Sequence, residues 1–145
     1  MRHIVGLVAL VLISASCGSD SGAGTITVID PWTRPTPPGV DEAAIYMTIE
    51  NDSPVADRLL SARSSGCMVV TPHLTEITDG VSRMTASGED ELDMASGARI
   101  TMEPNGMHLM CLGVVEALTE GSRLPVTLQF AYGPSLDIEV AVERR

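Results

Sequence analysis

Thr75-Glu76-Ile77-Thr78-Asp79-Gly80-Val81-Ser82-Arg83-Met84-Thr85 places an Asp-Gly pair between two strand-like runs, which is the strongest short-range signal for a tight β-hairpin. With Asp79 and Gly80 as the two loop residues, Thr78 pairs with Val81 and Thr75 with Met84. Side chains two apart on a strand share a face. His73 therefore shares the face of Thr75 and is a diagonal neighbour of Met84, with backbones roughly 7 Å apart.

Outward from this hairpin the chain continues as short runs divided by turn residues. Strands are expected at Thr25 to Ile29, Ala43 to Glu50, Leu59 to Ser64, Met68 to Ile77, Val81 to Thr85, Arg99 to Glu103, His108 to Val114, Leu124 to Phe130 and Leu136 to Glu143. No stretch carries a helical stripe. Many short strands at this spacing predict an all-β fold, an antiparallel β-sandwich of Greek-key type. Asp30 to Gly39 holds prolines at 31, 35, 37 and 38. It is expected to wrap an edge or end, because proline cannot donate to a central ladder.

The first residues read as an export signal. Arg2 precedes the apolar run Ile4 to Ile13, and the small residues Ser14-Ala15-Ser16 precede Cys17. This run is too short for a finished transmembrane helix. A cysteine in that place resembles a lipobox, so residues 1–16 are expected to be a lipoprotein-type signal peptide, with Cys17 carrying the lipid. Residues 17–24 then form a lipidated cysteine and flexible tether, since Gly18 to Gly24 holds no large apolar side chain. Residues 25–145 are long enough for one domain with a single core. The domain is expected to work outside the cytoplasm, as a cell-membrane lipoprotein or in a periplasm, and to meet the membrane through its lipid.

The chain carries 19 acidic residues against 9 basic ones, all arginine, for a net charge of −10. No basic stripe is visible, which argues against a nucleic-acid partner. The acidity is diffuse apart from Glu89-Asp90-Glu91 and Asp93, read as a solvated loop.

His3 falls in the leader, so the mature domain holds two histidines, His73 and His108. Each has a methionine within strand reach. His108 and Met110 are two apart and point to one face, while Leu109 and Cys111 point to the other. Gly106 just before them marks a turn or a close backbone approach. Imidazole and thioether together suit soft, monovalent copper, whereas calcium and magnesium require oxygen ligands. His73, Met84, His108 and Met110 are thus the candidate metal ligands. Met47, Met68, Met94, Met102 and Met107 read as core filler.

Cys67 and Cys111 remain after Cys17. In an oxidising compartment they make a disulfide; the alternative is that Cys111, next to Met110, serves as a thiolate ligand or a redox-active thiol.

Asp30-Pro31-Trp32-Thr33-Arg34, Pro37-Pro38-Gly39, Ala43-Ala44-Ile45-Tyr46-Met47, Asn51 and Asp57-Arg58-Leu59 occur in an order that resembles the PCuAC-type periplasmic copper chaperones. His73, Val81-Ser82-Arg83-Met84 and Pro104-Asn105-Gly106-Met107-His108-Leu109-Met110 are similar to that family's copper motif. The resemblance implies a cupredoxin-like sandwich that binds one Cu(I) through His73, Met84, His108 and Met110. It further implies delivery of copper to the CuA-bearing subunit of cytochrome c oxidase or another copper acceptor. Leu74 and Thr75 stand where many members have a methionine, and no His/Met-rich segment precedes Arg145. One Cu(I) ion and little capacity for Cu(II) are therefore expected.

The function expected is that of a metallochaperone and not of an enzyme. Two alternatives stay open: a thiol oxidoreductase using Cys67 and Cys111 on copper-site cysteines, and a metal-free immunoglobulin-like adhesion lipoprotein. The oxidoreductase has no Cys-x-x-Cys pattern behind it. A hydrolase would need a Gly-x-Ser-x-Gly elbow, which the sequence lacks.

Overall fold

The computed structural model describes residues 25–78, 81–86 and 92–145. The expected leader and tether, the Asp79-Gly80 turn and the Glu89-Asp90-Glu91 run lie outside the described residues. Those described form β1 (Ile26–Thr33), β2 (Glu42–Asn51), β3 (Asp57–Arg63), β4 (Cys67–Thr78), β5 (Val81–Ala86), β6 (Leu92–Met94), β7 (Arg99–Met102), β8 (Met107–Val114), β9 (Arg123–Phe130) and β10 (Leu136–Val142). The all-β class read from the sequence is what the chain adopts.

Alternation builds the walls. In β9, Leu124, Val126, Leu128 and Phe130 are buried while Arg123, Pro125, Thr127 and Gln129 are exposed. In β2 the buried row Ala43, Ile45, Met47 and Ile49 enters the same core. Pairing runs β4–β8–β2–β1–β10–β9–β3 and closes where β3 meets β4 at Ala62 and Val70, so seven strands form one closed barrel. Outside this ring β5 adds to β4, β6 to β3 and β7 to β2. The β1–β10 pair is parallel; the other pairs are antiparallel.

Three expectations need correction. Asp30 to Gly39 does not wrap an edge over its whole length: Trp32 and Thr33 belong to β1, between β2 and β10. The ladder tolerates Pro31 because the register shifts between Ile29 and Trp32, and Asp30 takes a positive φ of 51°; a bulge leaves the proline unpaired. Met68 is not core filler but is 80% exposed, across from Gly113, whose missing side chain leaves room for the thioether. Asp93, read as part of a solvated acidic loop, lies in the three-residue strand β6, opposite Arg58 of β3 and ion-paired with it; that run is too short to show a period in the sequence.

Two residues of the motif-bearing segments turn out to hold loops. Buried Asn51 donates its amide to the carbonyls of Val55, Met94 and Ala95 and accepts from Ser53. The Asp57 carboxylate accepts backbone N–H groups from Arg58, Tyr132 and Gly133. Cys67 and Cys111 are joined in a disulfide with Cα atoms 5.5 Å apart. Both cysteines belong to the core. A crosslink spanning 44 residues contributes roughly 4 kcal/mol in the chain-entropy picture.

Candidate metal centre

β4 and β8 run antiparallel with His73 directly opposite His108 and Thr71 opposite Met110. The hairpin to β5 has the register read from its Asp-Gly loop: Thr78 faces Val81 and Thr75 faces Met84, which leaves His73 opposite Ala86 and diagonal to Met84. The four candidate donors therefore occupy one face of three neighbouring strands, β5, β4 and β8. It is the outer face. Leu109 and Cys111, the alternate residues of β8, enter the barrel core on the other side.

The two imidazole rings have centroids 6.0 Å apart at an interplanar angle of 60°. Metal–nitrogen bonds are about 2 Å long. Rings at this separation bracket a single ion rather than stack on each other. His108 is only 2% exposed, and its Nδ1 lies 3.0 Å from the Gly106 carbonyl. A carbonyl can only accept, so Nδ1 carries a proton, and in the neutral ring Nε2 is then the nitrogen with the free lone pair, the orientation that a second partner imposes on a metal-binding histidine. The Gly106 oxygen also accepts the Thr75 N–H at 3.1 Å, which ties β4 to the turn before β8. That turn is closed by Gly106 N–H to Glu103 and Glu103 N–H to Met107, with Asn105 in the left-handed region at φ 67°.

His108 Nε2 and His73 Nδ1 are both buried without a hydrogen-bond partner. Leaving a buried polar atom unpaired costs about 1–3 kcal/mol. Two such atoms on facing rings need a common explanation, and an ion accepting both lone pairs supplies one. Burial lowers the pKa of His73, a charge on His108 would lower it further, and Glu42 acts weakly the other way. Neutral imidazole, the ligating form, is thereby favoured.

The sulfur donors differ in depth. Met110 is buried beside His108, whereas Met84 is 53% exposed. The structure brings His73, His108 and Met110 together within the face and sets Met84 at its rim, because β5 lies outside the closed ring. Among the described residues no three His, Cys, Asp or Glu side chains converge on a common point. A metal on this face thus has to draw on thioether sulfur, and the donor set fits soft copper rather than a hard cation. A blue-copper thiolate is unavailable, since Cys111 is spent in the disulfide on the opposite face.

Sequence reasoning missed the support behind His108. The Tyr46 ring lies 6.1 Å from that of His108, and Trp32 lies 4.6 Å from Tyr46. The guanidinium carbons of Arg145 and Arg34 stand 4.9 and 5.7 Å from the Trp32 ring centre, and a bidentate pair with Asp30 holds Arg145. Burial raises the pKa of Tyr46, against a weaker pull from Arg34. The available signal was the alternation of β2: Ile45 and Met47 point inward, so an aromatic at Tyr46 must cover the outer face.

The sequence profile described as "Putative lipoprotein LpqE-like" matches residues 26–142, and the chain belongs to that LpqE-like family. "Putative lipoprotein Lxx21020" of Leifsonia xyli subsp. xyli is 23% identical over 121 residues, 83% of this chain and 71% of that protein. Among solved structures, the copper-bound PCuAC domain from PmoF2 superposes with a TM-score of 0.70 at 26% identity, covering 85% of this chain and 96% of that one. The Cu(I) form of DR1885 from Deinococcus radiodurans gives a TM-score of 0.64 at 25% identity, over 90% and 87%. The PCuAC-type resemblance seen in the motifs is borne out.

Proposed function

We propose that this member of the LpqE-like family is an extracytoplasmic copper metallochaperone, anchored through a lipid on Cys17, that holds one Cu(I) between His73, His108, Met110 and Met84. The observation that carries the reading is the pair of buried, unpartnered nitrogens on His73 and His108, residues directly opposite each other across β4 and β8. The copper-bound PmoF2 and DR1885 domains support it by likeness of fold. A cupredoxin-like Greek-key description of the strand order goes with the same reading.

The donor set suits a carrier. Thioethers bind Cu(I) with no proton to lose, and imidazole nitrogens add donors without adding negative charge. His108 is fixed by the Gly106 carbonyl, Met110 is buried beside it, and Met84 is half-exposed. Release therefore begins at Met84: an acceptor's ligand displaces that sulfur first and the deeper donors afterwards. The acceptor in this reading is the CuA-bearing subunit of cytochrome c oxidase. The oxidoreductase alternative has less support, because both cysteines of the domain lie in a buried disulfide.

Anaerobic titration of the mature domain with Cu(I) against a competing chelator tests the assignment. One equivalent should bind tightly, with weaker binding in each of His73→Ala, Met84→Ala, His108→Ala and Met110→Ala. Affinity unchanged in His108→Ala and His73→Ala would sink it.

A further inference from the structure

At the end of the β1–β2 ladder remote from His108, a cleft of about 460 Å³ opens between the loop after β2 and the loop after β9. Ile26, Pro54, Val55, Tyr132, Pro134 and Leu136 make its apolar walls. Val55 is 61% exposed and Tyr132 83% exposed. Two large side chains from separate loops thus face solvent around one concave apolar patch, which marks a contact surface rather than scattered exposure. The charged residue in the lining, Asp57, is buried, and its carboxylate is taken up by the N–H groups of Arg58, Tyr132 and Gly133. Those bonds also fix the loop that presents Tyr132.

Thr25 lines the same cleft. From Thr25 the chain reaches Cys17 in eight residues, a span of at most about 28 Å when fully extended. A lipid on Cys17 therefore keeps this end of the domain near the bilayer. We propose that the cleft end seats on the lipid surface itself, with Val55 and Tyr132 entering the headgroup region, where an aromatic ring with a polar tip is favoured. The seat rests on the lipid-anchored reading given above. It is shallow, since Asp52, whose N–H bonds the Thr25 carbonyl, is exposed at the rim.

The seat orients the metal face. Ile26 pairs with Asn51 beside the cleft, whereas Trp32 pairs with Tyr46 beside His108. Six residues of strand separate the two levels, about 20 Å. With the cleft on the bilayer, His73, His108 and Met110 stand away from it, and half-exposed Met84 at the rim of their face is the donor presented to an acceptor above the membrane.

The wild-type chain contains one tryptophan, Trp32, which is buried on the metal side and serves as an internal reference. The test uses the full lipidated chain and its Tyr132→Trp variant in phosphatidylcholine vesicles whose acyl chains carry bromine, a contact quencher of indole. The emission added at position 132 should fall about twofold relative to unbrominated vesicles, while Trp32 in the wild type is unaffected. Protein that fails to float with the vesicles overturns the anchor and the seat together. Floating protein with an unquenched indole at 132 overturns the seat alone. A blue shift at 132 that grows with protein concentration, without quenching, assigns the cleft to a second copy and likewise overturns it. Position 132 is remote from the metal face, so Cu(I) affinity of the variant should match wild type and report separately on the copper assignment.

Discussion

β8 and β9 are both eight-residue strands of the ring, yet they treat their two sides differently. β9 alternates without exception, one side in the core and one in water. β8 buries four successive residues, His108, Leu109, Met110 and Cys111. Its inner side is explained by the core that Leu109 and Cys111 join. Its outer side is not explained by apolar burial, because an imidazole nitrogen lies there without a partner. The contrast separates residues that hold the barrel from residues whose burial leaves a polar atom unpaired, which the proposed copper site would explain.

Substitutions that break the contrast should give effects of different kind as well as size. The largest falls on stability. Leu128→Ala in β9, fully buried, should cost about 2–5 kcal/mol; urea melts would show this, with copper affinity of the folded fraction unchanged. Replacing Cys67 and Cys111 together by alanine should cost roughly 4 kcal/mol, again without altering the ligands. A loss of copper stoichiometry in that double variant at a denaturant-free, folded concentration would mean that sulfur on the inner face matters to binding.

On the outer face the order reverses. His108→Ala should weaken Cu(I) binding on the order of a hundredfold, about 2.7 kcal/mol. Its effect on melting of the apo domain should be smaller, since it removes an unpaired buried atom along with the ring. A collapse of the fold in this variant would abolish the distinction between the two sides of β8.

How much of this was legible in the sequence follows from which residues carry a local signal. The Asp79-Gly80 pair is a local signal for the pairing of Thr75 with Met84, because a tight two-residue turn leaves one register open. The i, i+2 spacing of His108 and Met110 placed both on one face for the same local reason. The meeting of His73 with His108 depends on β4 lying next to β8, a long-range pairing that no local period encodes; the motif resemblance supplied it. Trp32 was obscured by Pro31, whose bulge resumes the strand instead of ending it. Tyr46 was readable from the alternation of β2, but only once the inner face of that strand is known. Met84 was placed correctly in register, while its half exposure follows from β5 lying outside the ring.

Smaller effects sharpen the same comparison. Met84→Ala should reduce Cu(I) affinity about tenfold, close to 1.4 kcal/mol, and speed transfer to a competing chelator, with no change in melting. An effect as large as that of His108→Ala would place Met84 inside the closed site. Acid should act through His73, whose folded pKa lies below the ordinary 6.5. As pH falls below that value the unfolded chain takes up its proton first, so the contribution to apo stability is complete above about pH 6.5 and is lost as pH drops through the lower folded value. Urea melts at stepped pH should show this slope, and His73→Gln should flatten it.

The central claim is that two imidazoles and two thioethers from β4, β5 and β8 share one cuprous ion. X-ray absorption of the domain loaded with one equivalent of Cu(I) tests it most directly. The account predicts a monovalent edge with two nitrogen and two sulfur scatterers, and loss of one nitrogen in His108→Ala. A shell of nitrogen and oxygen alone, or one that His108→Ala leaves unaltered, would contradict it.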